Sequence, residues 1–556
     1  MAPPCRAAGR TIETTSLVTK PSVLMVGLDG AGWRLLEPWA RAKRLPHLAS
    51  LMERGAWGAL RSTIPALTLP AWSSFMTGRN PGGHGVYAFR RLAPDRYDGR
   101  GLASAADLHG PTLWDVIGAA GRRVGVVNVP PSYPLRPVNG FMVGCMLTPP
   151  GVAFTHPPEL TGELGDYVID TKTPRDLRPE NPVFRTRALE YAAALRRQTE
   201  RRTAACVHLM RAHPVDAFCV VFYAPDRLQH YFWNRLQPEE GVRPEPDQEI
   251  DAALAATYAA VDDAIGALVA EAGPQANVVL LSDHGFTHSP RRSVRINRWL
   301  ADAGLLAQRP LWTLRRKVIR KALPKTWRAR YDTLDHILVN RARTQAWSDT
   351  IFTNTAAIWV HAAGRYPLGC VAPGAPYEAV RDRIKTGLEA LRDEGGARVF
   401  RGVFRREEIY SGPYVDAAPD LVAECEPDFG IVYESLRRDL RERTLFGPFR
   451  EEGYTGTHDP EGLYLFAGPA IDAHGRDREY PIESIAPTVL HLLGLAVPRS
   501  MEGPVCASVL RADHRAAHPI EYTDVETAGV EATGEWGSAE AEAQIAEHLK
   551  GLGYME

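Results

Sequence analysis

Short runs that are apolar at nearly every position alternate along this chain with longer stretches in which apolar residues recur every three or four positions. The runs are SVLMVGLD (22–29), RVGVVNV (123–129), DAFCVVFY (216–223), NVVLLSD (277–283) and GLYLFAG (462–468). Several are β-branched, and several end on an acid or a glycine. Runs that are apolar on both faces and bounded by turn residues suit strands buried inside a parallel sheet. The stretches 184–211 and 249–272 carry helical spacing instead. This alternation predicts an α/β layered fold with a mostly parallel sheet. Sites in such sheets form beyond the carboxyl ends of the strands, where Asp29, Asp226 and Asp283 fall.

Two regions break the rhythm. Residues 91–110 and 130–182, rich in Pro and Gly, read as loops or a small cap, and roughly 301–450 reads as an inserted region of mixed character. Its basic segment, 309–343, holds eleven Arg or Lys against Asp332 and Asp335. Within it, 311–323 places Leu311, Leu314, Val318 and Ala322 on one helical stripe. That stripe suits a membrane surface or a polyanion, but a solvated face packed on its own domain is the preferred reading. The expected organisation is a catalytic core over 21–300 with the small cap at about 130–182, the insertion 301–450, the end of the core over 451–510, and a tail 511–556 ending in an acidic amphipathic helix.

Composition narrows the partners. The 556 residues hold 65 Lys+Arg and 66 Asp+Glu, so whole-molecule charge gives no argument for nucleic acid. Seven scattered cysteines without CxxC spacing argue against a disulfide framework. No apolar segment resembles a signal peptide or a membrane span, and the expectation is a cytoplasmic protein.

Asp226 and His230, spaced i, i+4 after a strand, aim the same way from one helical turn. Asp283 and His284 are neighbours at a strand end. Either pair alone reads as structural. Together with Asp29 and His458 they supply the carboxylate and imidazole groups that hold divalent metals. Thr68 stands two residues before Pro70, which fits the first position of a helix. Amides there would face an anion, and Thr68 reads as a nucleophile or as a simple helix cap. His84 and His288 are assigned no metal, and Arg90 and Arg91 read more readily as surface residues than as phosphate binders.

VGLDG, ALTLPAWSSFMTG followed by NPGGHG, APDRLQH, SDHG and GTHDPEG, as an ordered set, resemble the alkaline phosphatase superfamily, in its type I phosphodiesterase/nucleotide pyrophosphatase branch and the related phosphohydrolase/phosphomutase proteins. The resemblance covers roughly 21–150, 205–300 and 450–510. It implies an alkaline phosphatase-like three-layer α/β/α sandwich with inserted cap regions. It also implies two divalent ions, one on Asp226, His230 and His458 and the other on Asp29, Asp283 and His284, with Thr68 bridging toward the pair. The implied activity is hydrolysis of a phosphodiester or phosphomonoester, small or lipid-linked, through a phosphothreonine. Mixed oxygen and nitrogen ligands suit zinc, and manganese tolerates them. Phosphate-steadying asparagine of the nucleotide pyrophosphatases is replaced here by Phe89, and the CxPxR setting of sulfatases is absent. A phosphomutase and a non-catalytic binding protein on the same scaffold remain the competing readings, and a threonine in place of the serine of phosphoglycerate mutases favours hydrolysis.

Overall fold

The computed structural model describes residues 20–91, 100–174, 177–238, 244–309, 339–432, 435–442, 444–449, 453–525, 527–529 and 539–551. Most of the basic segment 309–343, with the stripe from Leu311 to Ala322, lies outside the described residues. The centre is a large sheet in the order Gly475–Arg476, Gly55–Arg61, Glu461–Ala467, Asn277–Leu281, Val23–Leu28, Ala217–Phe222, Val124–Val127, Gly140–Val143 and Thr155–His156. Its middle strands pair in parallel.

All four long apolar runs of the middle are buried on both sides, and the side chains alternate between two cores as a period of two requires. Val23 and Met25 join one core with Cys219, Val221, Val279 and Leu281. Leu24, Val26 and Leu28 join the other with Phe218, Val220, Phe222, Val278 and Leu280. Helices Thr68–Thr77, Leu113–Ala119 and Ile485–Leu492 cover the first face. Helices Trp33–Arg41, Pro46–Glu53, Phe184–Ala212 and Gln248–Ala272 cover the second. The fold is a three-layer α/β/α sandwich.

Three local expectations change. The run at 462–468 forms Glu461–Ala467, antiparallel to both neighbours, because buried parallel and buried antiparallel strands carry the same all-apolar signature. The stretch 130–182 contributes Gly140–Val143 and the edge strand Thr155–His156 to the main sheet; they are too short to show a pattern. Helix Gln248–Ala272 is long and apolar enough to cross a membrane by length and composition, yet Ile250, Leu254, Val261, Ile265 and Leu268 pack into the second core.

The insertion builds its own antiparallel sheet, Ala346–Phe352, Thr355–Val360, Leu421–Cys425 and Phe400–Arg405 in that order. With helix Ala375–Glu389 it encloses a separate core of Ile358, Val360, Ile384, Leu388, Leu421 and Ala423. The C-terminal helix Ala539–Gly551 docks on the sandwich by Ile545 and Leu549.

Candidate active site

The strand Val23–Leu28 delivers Asp29, whose amide still donates to Phe222 O at 3.0 Å. Gly30 then turns the chain at φ +70°, and its N–H donates to Asp283 Oδ1 at 3.0 Å, joining two strand ends. Gly27 admits helix Thr68–Thr77: a Cβ there would lie 2.5 Å from the Trp72 ring. Trp72 Nε1, so placed, donates to Asp29 Oδ2 at 3.2 Å. Helix Ala224–Leu236 carries Asp226 and His230 one turn apart, and Gln229 Nε2 pins it to Gly30 O at 2.8 Å. His458 sits on strand Gly456–Asp459, paired antiparallel with Gly285–His288 so that it opposes Phe286.

The six expected acids and histidines converge, and all are buried. His230 Nε2 and His458 Nε2 each stand 3.4 Å from Asp226 Oδ1 and 3.2 Å from one another. Ligand atoms about 2.0–2.1 Å from a tetrahedral ion are about 3.3–3.4 Å apart, and the spacing of this triangle matches that value. The second group is wider: His284 Nε2 is 3.2 Å from Asp283 Oδ2 and 4.0 Å from Asp29 Oδ1. His284 also stacks on His458 with ring centroids 3.5 Å apart, and its ligand atom is close enough to count with either group.

Tautomers follow from the outer ring nitrogens. His458 Nδ1 lies 3.0 Å from Ala66 O, and His284 Nδ1 lies 3.0 Å from Gly285 O. A carbonyl accepts only, so each Nδ1 carries the proton and each Nε2 presents a lone pair inward. Asp29 Oδ1, Asp283 Oδ2 and His284 Nε2 have no hydrogen-bond partner despite full burial. Burying an ionised carboxylate costs several kcal/mol unless it is compensated, and a divalent cation at this place is the compensation that the donor set fits.

Burial, then the neighbouring carboxylates Asp283 and Asp226, push the Asp29 carboxyl well above its ordinary range. Burial first and the charge of Asp226 do the same to Asp283. For Asp226 burial alone would also raise the carboxyl, but His230, and after it Arg227, outweigh burial and hold it well below the usual range. Burial first, and then the closeness of the His458 ring, keep His284 far below an ordinary imidazole. Burial lowers His458 to about 4.

Thr68 is the first residue of helix Thr68–Thr77, capped by Leu67, and Pro70 is its third residue. The helix therefore starts two residues earlier than Pro70 suggested, and Thr68 is not its cap. It is fully buried. It lies two residues after Ala66, which holds His458, and one turn before Trp72, which holds Asp29. The start of this helix is thus tied to both groups, to one through Ala66 and to the other through Trp72.

His84 is hydrogen-bonded to Ser74 Oγ at 3.0 Å, and His288 to Ser289 O at 3.0 Å, so neither joins the cluster. Arg90 and Arg91 lie in a surface ribbon, Arg91 paired with Asp107 at 2.9 Å. Phe89 is core. Missed by the sequence argument were Trp72, Gln229 and Arg227, although each stands inside a motif; their types carry no metal signal. Also missed was the insertion's hairpin tip, which touches the site. The Phe352 ring packs 4.2 Å from His458, Thr353 Oγ1 is 2.8 Å from Thr457 Oγ1, and Asn354 Nδ2 donates to His458 O at 3.0 Å.

Among curated protein sequences compared with the chain, none matches. Solved structures of similar fold include murine ectonucleotide pyrophosphatase/phosphodiesterase 5 in complex with AMP, at 15% identity and TM-score 0.49 over 86% of this chain and 96% of that one. Another is phosphonoacetate hydrolase from Sinorhizobium meliloti 1021 in complex with phosphonoacetate, at 17% identity and TM-score 0.47 over 81% and 90%. The family model described as type I phosphodiesterase / nucleotide pyrophosphatase matches residues 23–460, a span that runs from the first central strand through His458. The chain belongs to the type I phosphodiesterase / nucleotide pyrophosphatase family, whose members are phosphoric ester hydrolases.

Proposed function

We propose that the chain is a two-metal hydrolase of phosphate esters, a phosphodiesterase or phosphomonoesterase, in which Thr68 attacks phosphorus. The observation that carries this reading is the pair of buried carboxylate–imidazole groups, in which Asp29 Oδ1 and Asp283 Oδ2 lack a hydrogen-bond partner and the Nε2 atoms of His284 and His458 face inward. Asp226, His230 and His458 would hold one ion, and Asp29, Asp283 and His284 the other. Zinc suits the nitrogen-rich triangle. When bound, two divalent ions supply Lewis-acid polarisation of the phosphoryl oxygens and lower the pKa of a hydroxyl in contact with them.

The chain's own residues do the rest. Three carboxylates and neutral imidazoles leave the loaded cluster at about one positive charge, which an ionised Thr68 hydroxyl brings to zero, so a phosphate ester is not repelled. Helix Thr68–Thr77 adds the positive end of its dipole beneath the phosphoryl group. Trp72 and the Gly30 amide keep Asp29 and Asp283 oriented. Thr68 Oγ1 forms a bond to phosphorus as the leaving alkoxide departs, and water then hydrolyses the phosphothreonine.

The test is a substrate panel on the protein loaded with Zn²⁺ or with Mn²⁺: a phosphodiester, a phosphomonoester and a sulfate ester of the same phenol. Turnover of a phosphate ester, lost on metal removal and restored on reloading, is the expected result. Equal turnover by the metal-free protein, or none by the loaded one on either phosphate ester, overturns it.

A further inference from the structure

We infer that Arg227 and Asp170 are positioning residues for the Asp226 carboxylate, and that the C-terminal helix, through His548, is part of the same support. The inference rests on Asp226 being a metal ligand, as proposed above. The two oxygens of Asp226 face different ways. Oδ1 looks at His230 and His458, while Oδ2 accepts from Arg227 Nη1 at 2.8 Å. Arg227 Nη2 donates in turn to Asp170 Oδ2 at 2.9 Å, and His548 Nε2 stands 3.1 Å from that same oxygen. The array is buried: side-chain exposure is 1% for Arg227, 4% for Asp170 and 14% for His548.

A guanidinium beside a metal ligand needs an explanation, because its charge repels the ion and competes for the carboxylate. The planar fork offers one: it holds Oδ2 rigidly and so keeps Oδ1 turned toward His230 and His458. Asp170 removes the cost. Paired with Arg227, it makes the bridge neutral, so Asp226 keeps its full charge toward the triangle while staying fixed. Asp170 thus acts on a centre that it does not touch, by cancelling a charge that would otherwise weaken it.

The helix end of the chain is a participant. Asp170 and His548 both line a cavity of about 990 Å³ between the C-terminal helix and the loops 146–154 and 167–173. Ile545 and Leu549 anchor that helix in the core, which sets His548 against Asp170.

The experiment measures metal affinity of the full chain by chelator competition, with ion counts by elemental analysis, for wild type, Asp170→Asn and His548→Gln. Asp170→Asn keeps the shape and a hydrogen bond to Arg227 but leaves the guanidinium charge uncancelled. One of the two ions should bind about tenfold or more weakly, as for other residues that orient metal ligands, with the second ion unaffected. His548→Gln, at the edge of the array, should shift the same ion in the same direction by less. A merely structural role would lower the thermal midpoint and leave both metal affinities unchanged, and that result in either folded variant overturns the inference. Should Asp170→Asn not fold, the His548→Gln shift decides alone. A wild-type protein that binds no metal would instead refute the two-metal reading itself.

Discussion

The two candidate metal-ligand groups are built on opposite electrostatic plans. The triangle of Asp226, His230 and His458 has one carboxylate and two imidazoles at 3.2–3.4 Å. Its acid is held ionised by His230 and Arg227. The group of Asp29, Asp283 and His284 has two carboxylates and one imidazole, spread to 4.0 Å, with both acids pushed toward the protonated form. The first is preorganised without an ion, whereas the second is a concentration of buried negative charge that an ion must relieve. The difference also has a structural origin. The triangle is held by a helix and by a strand that the insertion clamps; the second group hangs from strand ends joined through Gly30.

The largest expected effect comes from the residue whose helix is tied to both. Thr68→Ala should lower kcat by more than about a thousandfold while both ions stay bound, since it removes the attacking oxygen and leaves either group's acids and imidazoles in place. Loss of an ion along with activity would show that Thr68 belongs to one group. Next come the ligands. His458→Ala and Asp283→Asn should each cost about one equivalent of metal by elemental analysis, at different sites; two tightly retained ions in either variant would remove that residue from the ligand set.

The pH dependence separates the groups more finely. A raised carboxyl pKa means that a proton must leave Asp29 or Asp283 before the ion enters, so affinity there falls as pH drops through those raised values. Asp226 is held low and His458 stays neutral down to about 4. In titrations at pH 7 and at a lower pH, the ion at Asp29, Asp283 and His284 should therefore be lost first as pH falls, and His458→Ala, which retains that ion, should show the steeper pH dependence of metal binding. Simultaneous release in calorimetric titrations at the two pH values would mean that the groups titrate as one unit. The smallest effect belongs to the clamp. Asn354→Ala removes one hydrogen bond to the strand of His458 and should cost about 1 kcal/mol, read as a small drop in thermal midpoint with the ion at Asp283 unaffected.

Much of this was legible in the chain. Asp29, Asp226, Asp283 and their histidines announce themselves because each follows an all-apolar run, and a polar residue at the end of a buried strand has few bland explanations. The two cores were implicit in the same runs. What stayed hidden depends on distant pairing. Nothing in ALTLPAWSS distinguishes a tryptophan that holds Asp29 from one that fills a core, and Trp72 does both. Direction is equally silent: Glu461–Ala467 reads like its parallel neighbours. Asn354 and Phe352 reach His458 only because a separate domain folds back by its hairpin tip, and no local pattern encodes that.

Chain order gives the site a timetable. Asp29 is made first, Asp283 and His284 follow midway, and His458 comes only after the whole insertion. At synthesis rates of about 5–20 residues per second, the interval from Asp29 to His458 is on the order of tens of seconds. For the first part of that time the first strand lacks its neighbour Asn277–Leu281, and for all of it the closing ribbon of Gly285–His288 and Gly456–Asp459 is incomplete. The group of Asp29, Asp283 and His284 is complete in sequence well before the triangle, and the C-terminal helix arrives later than either. A ribosome-bound intermediate of this protein would therefore carry one of the two candidate ligand groups complete in sequence, the one with two carboxylates.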